Sequence, residues 1–184
     1  MDRYKVGFLV GSLARGSINR LLATALARAA PPELALHEIP IRDLPLYSYD
    51  YDSDFPSVAK TFKQAIADVD AVLFVTPEYN RSIPGALKNA IDWASRPYGQ
   101  NAFARKPSAV IGTSPGSIGT AIAQQHLRNI LAAEGANSLT TPEVFLQYSE
   151  GLIDDQFNIT NEGTRKFLQG WVDRYVDWIK KMNG

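Results

Sequence analysis

Apolar residues fall into two alternating patterns along the chain: compact runs closed by Gly or Pro, and longer stretches in which they recur every three or four residues. The compact runs are Val6 to Val10, a weaker one at Leu34 to Ile39, Ala71 to Thr76, Ser108 to Thr113 and a short one near Ser138 to Thr140; they read as five buried strands. Helical stripes separate and follow them. These are Ile18, Leu21, Leu22, Ala25, Leu26 and Ala29; Phe62, Ala65, Ile66 and Val69; Leu87, Ala90, Ile91 and Ala94; Ala123, Leu127, Ile130 and Leu131; and Leu168, Trp171, Val172, Tyr175 and Ile179. Strands alternating with helices predict a parallel sheet covered on both faces by right-handed crossovers. That is a doubly wound α/β domain, and for five strands the common order is 2-1-3-4-5. Without a linker, an internal repeat or a low-complexity tract, residues 1–184 read as one domain. Ligands of such sheets lie beyond the carboxyl ends of the strands at the switch point, so chemistry is expected in the loops after strands one, three and four.

Composition removes several classes of function. Nineteen Lys and Arg balance nineteen Asp and Glu, leaving no positive field for a nucleic acid or an anionic membrane. The chain has no cysteine and only two histidines, which excludes thiolate nucleophiles, disulfides and Cys/His zinc sites. No apolar run approaches the length of a membrane helix, and Val6 to Val10 is too short for a signal peptide, so the chain reads as soluble and cytoplasmic.

The three loops are all small and polar. The first, Gly11-Ser12-Leu13-Ala14-Arg15-Gly16-Ser17-Ile18-Asn19, offers close backbone approach, helix-start N–H groups and the hydroxyls of Ser12 and Ser17, which suits an anion. Its Gly11 and Gly16 are spaced as in a triphosphate loop, but Ser17 stands where that motif needs lysine. The G-x-G-x-x-G fingerprint is absent too, so a monophosphate fits better than a nucleoside triphosphate or a tightly held dinucleotide. The second, Thr76 to Gly85, is stiffened by Pro77 and Pro84 around Glu78, Tyr79, Asn80 and Arg81, and can hydrogen-bond a flat heterocycle edge-on beside Tyr79. The third, Thr113 to Gly119, closes the same crevice. A phosphate at one end and a planar ring gripped from its sides is the layout expected for flavin mononucleotide.

These residues also carry a resemblance. Gly11-Ser12 with Ser17-Ile18-Asn19-Arg20, then Pro77-Glu78-Tyr79-Asn80 with Pro84 to Trp93, then Ser114-Pro115-Gly116 with Gly119 and Gln125 to Arg128, resemble the NADPH-dependent FMN reductases of flavodoxin-like fold. That group includes chromate, quinone and azo-dye reductases. The resemblance runs from strand one to about Glu143 and is most specific in the second stretch. It implies that Ser12, Ser17, Ile18 and Asn19 bind the FMN phosphate, that Pro77, Glu78, Tyr79 and Asn80 line the isoalloxazine, and that Ser114, Pro115, Gly116 and Ser117 close its other side. Many relatives carry arginine directly after Gly-Ser-Leu; here Ala14 holds that place and Arg15 is the candidate cation. Arg81 is assigned to substrate access.

The resemblance further implies NADPH or NADH as electron donor, ping-pong transfer of two electrons to quinones, chromate, azo dyes or free flavin, and a homodimer or homotetramer. No side-chain acid, nucleophile or metal is required, because the flavin carries the reactive atom. The competing reading is a flavodoxin-type electron carrier, which the balanced charge disfavours. His37 reads as an exposed edge-strand residue and His126 as a packing or interface residue. Tyr47, Tyr49 and Tyr51 read as an interface loop, and Asp50, Asp52 and Asp54 as a solvated turn rather than a calcium site.

Overall fold

The computed structural model describes residues 3–184. In chain order the elements are β1 (Tyr4–Val10), α1 (Ile18–Ala29), β2 (Leu34–Glu38), a 3-10 turn (Tyr49–Ser53), α2 (Ser57–Ala67), β3 (Ala71–Val75), α3 (Gly85–Ser95), β4 (Pro107–Ser114), α4 (Ala121–Ala133), β5 (Asn137–Ser138), β6 (Phe145–Gln147) and α5 (Glu162–Asn183). All strand pairs are parallel, in the order β2-β1-β3-β4-β5. The expected doubly wound sheet is therefore present, with one addition. The fifth position is filled twice: β5 pairs with Pro107 and Ser108 at the start of β4, and β6 pairs with Gly112 to Ser114 at its end.

Side-chain alternation assigns the two faces. Ala71, Leu73 and Val75 of β3 pack with α1 and α5, whereas Val72 and Phe74 pack with α2, α3 and α4. With apolar residues on both faces, the central strands read as unbroken hydrophobic runs.

The Asn89 to Trp93 segment of α3 has a structural task. Asn89 Nδ2 and Trp93 Nε1 both donate to Pro45 O, at 2.9 and 2.7 Å, and Asn89 Oδ1 accepts from Tyr47 N at 2.8 Å. The connection after β2 is thereby stapled to α3, and Tyr47 and Tyr51 pack on the buried Trp93 ring. Two expectations are corrected here. Tyr47 is half-buried inside its own chain, and Asp52 is not solvated: its side chain is 15% exposed and pairs with Arg96 at 2.6 Å. Tyr49 is open, at 73% exposure, and His37 is exposed on the edge strand as expected.

Candidate functional site

Three connections meet at the carboxyl edge of the sheet: those leaving β1, β3 and β4. They enclose a cavity of about 240 Å³, lined from the first by Ser12, Ala14, Gly16, Ser17, Ile18 and Asn19. The second supplies Pro77, Glu78 and Tyr79, and the end of β4 with its loop supplies Thr113, Ser114 and Pro115. A larger groove of about 610 Å³ lies against α5, away from this edge, and another of about 410 Å³ flanks the first loop on its β2 side, lined by Leu13, Arg20 and Glu38.

The end of the cavity at α1 is built for an anion. Ser17 caps the helix, its Oγ accepting from Arg20 N at 3.2 Å. The N–H groups of Ile18 and Asn19 have no acceptor among the described residues and sit at the positive end of the helix. Gly16 lines the cavity, and a Cβ added there would meet no atom within 4 Å. From outside, Arg42 donates to Leu13 O and Arg20 Nη1 lies 3.5 Å from Ala14 O. Arg20 is itself fixed by Glu38 at 2.7 Å, a bond that raises the guanidinium pKa further.

Several of the expected ligands prove to be braces as well. Asn19 is buried; its Nδ2 donates to Thr113 O and its Oδ1 accepts from Thr113 N, both at 2.9 Å. Both amide atoms are thus spent tying the first connection to β4, leaving the Asn19 backbone N–H for a ligand. Glu78 Oε2 accepts from Ile122 N and Ala123 N, at 3.0 and 3.1 Å. It caps α4 from a distant loop, where the Thr120 side chain at the N-cap position makes no capping bond and accepts instead from Gln124 Nε2 at 2.9 Å. Ser12 Oγ accepts from Ala14 N at 3.3 Å and lies 3.4 Å from the Tyr79 hydroxyl, which joins the first two walls.

The remaining candidates sit at the rim. Tyr79 and Ser82 exchange backbone hydrogen bonds at 2.9 and 3.0 Å around Asn80 and Arg81, forming a tight turn whose Asn80 is exposed and outside the lining. Ser114 Oγ accepts from Gly116 N at 3.1 Å; Gly116 and Ser117 are exposed beyond the cavity wall. Arg15 is exposed, makes no ion pair among the described residues and does not line the cavity. Ala14, Gly16 and Thr113 also line the cavity; the sequence places them in the loops but assigns them no ligand role. Glycine at a loop bend was the available signal for Gly16; Thr113 had none, because its backbone rather than its side chain holds Asn19.

The model of the family described as NADPH-dependent FMN reductase matches residues 4–151. The chain is 54% identical over 176 residues to a 2-hydroxy-1,4-benzoquinone reductase from a Burkholderia species, covering 96% of each protein. It is 47% identical to a quinone reductase of Pseudomonas putida, covering 96% of this chain and 95% of that one. Its backbone superimposes on FerB, a flavoenzyme NAD(P)H:(acceptor) oxidoreductase from Paracoccus denitrificans, with a TM-score of 0.94 at 47% identity, covering 97% of this chain and 98% of FerB. An anion cradle at a helix start, two further loops on the same cavity and a relationship spanning nearly the whole chain agree: the protein belongs to the NADPH-dependent FMN reductase family and is a flavodoxin-like NAD(P)H-dependent flavoenzyme.

Proposed function

We propose that the protein reduces small quinones, hydroxylated benzoquinones foremost, with NADH or NADPH as donor and FMN in the described cavity. The observation that carries this is the convergence of the α1 start and two further loops on one opening at the sheet edge. The Ile18 and Asn19 amides and the Ser17 hydroxyl would hold the FMN phosphate, with Pro77 to Tyr79 and Ser114 to Pro115 flanking the ring. When bound, FMN supplies a centre that takes up and gives out electron pairs. The protein's task is to orient it and leave one face open. In balance, NAD(P)H, a proton and a quinone give NAD(P)⁺ and a hydroquinone.

Relatives named for quinone reduction, at 54 and 47% identity, support quinones over chromate, azo dyes or free flavin as the acceptor. Donor and acceptor would use the open face in turn, giving ping-pong kinetics. Use of the nicotinamide pool supports a cytoplasmic location for the reaction. A homodimer or homotetramer is supported by the exposed Leu46, Tyr49 and Tyr98. Among the described residues no helix is long and apolar enough to cross a membrane.

The test is to purify the protein, record its visible spectrum and add NADH or NADPH with and without benzoquinone. Bleaching by a nucleotide and recolouring by quinone, with parallel initial-rate lines, is the expected result. A flavin that stays oxidised with either nucleotide would assign the protein to one-electron carriage instead, and intersecting lines would exclude the ping-pong order.

A further inference from the structure

Four non-glycine residues have positive φ among those described, and two are consecutive: Asn80 at 51° and Arg81 at 65°. They form the tip of the turn that presents Tyr79 to the cavity. Asparagine tolerates the left-handed region; arginine does so at a cost that glycine would avoid. The turn holds it there. Tyr79 and Ser82 are bonded reciprocally, and Ser82 Oγ lies 3.1 Å from His126 Nδ1 on α4. A residue held in a disfavoured conformation beside a ligand cavity invites a functional explanation.

The charge distribution supplies one. The Arg81 side chain is 69% exposed, and its ionic partner is Glu78, with Nη1 3.7 Å from Oε1. Glu78 already accepts two amide bonds from the start of α4 through its other oxygen, so its charge is shared with that helix. Arg81 therefore presents a weakly compensated, solvent-open guanidinium beside Glu78, which lines the cavity.

We propose that Arg81 is a specificity-determining residue that selects acceptors carrying an ionised ring oxygen, hydroxyquinones above all, over neutral quinones. The inference rests on the quinone-reductase reading. A 2-hydroxy-1,4-benzoquinone is a vinylogous acid, ionised at neutral pH, with its charged oxygen next to a carbonyl oxygen. That pair matches the fork of a guanidinium. Reduction consumes one hydride from NAD(P)H and two protons and yields neutral trihydroxybenzene. The charge that Arg81 recognises disappears in the reaction, which favours release of the product.

The experiment compares kcat/KM for 2-hydroxy-1,4-benzoquinone and 1,4-benzoquinone in the wild type, Arg81→Met, Arg81→Lys and Arg81→Gly. It also measures inhibition of benzoquinone reduction by 4-hydroxybenzoate, a redox-inert aromatic anion. In Arg81→Met the hydroxyquinone-to-benzoquinone ratio should fall by roughly tenfold or more, as for loss of a charged hydrogen bond, and the inhibition constant should rise in parallel. Arg81→Lys should recover part of both. Glycine suits this turn, so Arg81→Gly carries the same test should the methionine variant misfold. An equal loss on both quinones, or an unchanged ratio and inhibition constant, overturns the proposal. A wild type that reduces both quinones equally well overturns the role of Arg81 alone, and one that reduces neither overturns the quinone reading with it.

Discussion

Replacing Asn19 with alanine tests whether the cavity is built by its braces. The substitution removes two buried hydrogen bonds of 2.9 Å and strands the N–H and C=O of Thr113 in the middle of the sheet edge. Each stranded group costs about 1–3 kcal/mol, so the pair spans about 2–6 kcal/mol. Asn19 lines the cavity, and water entering from it can satisfy part of the gap. The lower part of that range, about 2–3 kcal/mol, is therefore expected. For a domain of this size it corresponds to a fall in Tm of roughly 4–12 °C. Thr113→Ala is the matched control: it loses the Oγ1 bond to Leu146 O at 2.9 Å but keeps both backbone groups that Asn19 holds, and should cost only about 1 kcal/mol. Thermal unfolding followed by circular dichroism gives the stability, and fluorescence titration with FMN gives the affinity. Asn19→Ala should weaken FMN binding because the α1 start is no longer fixed against β4. A Tm within about 1 °C of wild type, together with unchanged FMN affinity, would refute the reasoning.

Three further outcomes follow from particular side chains. The hydroxyl of fully buried Tyr175 has no hydrogen-bond partner among the described residues and burial pushes its pKa well up, so Tyr175→Phe should raise stability by up to about 1 kcal/mol in a chemical denaturation series; a clear loss would show a hidden partner. Glu78→Ala should cost about 1–2 kcal/mol by uncapping α4, with Glu78→Gln much milder, and equal losses in the two variants would show that charge rather than the acceptor oxygen matters. Burial, then the nearby Asp92 charge, raises the Glu134 pKa, so the fold favours its neutral form and that stabilisation fades as pH rises through the raised value. Glu134→Gln should accordingly melt above wild type at neutral pH and converge with it below about pH 4, whereas a pH-independent difference would contradict the assignment.

The sheet and its order were legible because both faces are buried, which leaves continuous apolar runs that periodicity detects. β6 was not: Phe145 to Gln147 is three residues long with exposed ends, and only the ladder to Gly112–Ser114 makes it a strand. The loops that form the cavity were also legible, from their small polar composition after each buried strand. What their side chains do was not. Asn19 finds Thr113 across 94 positions and Glu78 finds α4 across 44, and no local pattern encodes such pairings. Asp52 illustrates the same limit: alternation with Asp50 and Asp54 suggests solvent, yet Arg96 at 2.6 Å makes it an internal tie.

Asn19 and Ser12 bond the walls of the cavity to one another, and Glu78 ties the second wall to α4. A socket of this kind keeps its shape through loading and emptying, so little ordering entropy is spent when the cofactor arrives. A polypeptide built this way can be synthesised first and charged with its prosthetic group later, and it can be refitted with chemically altered flavins without being unfolded.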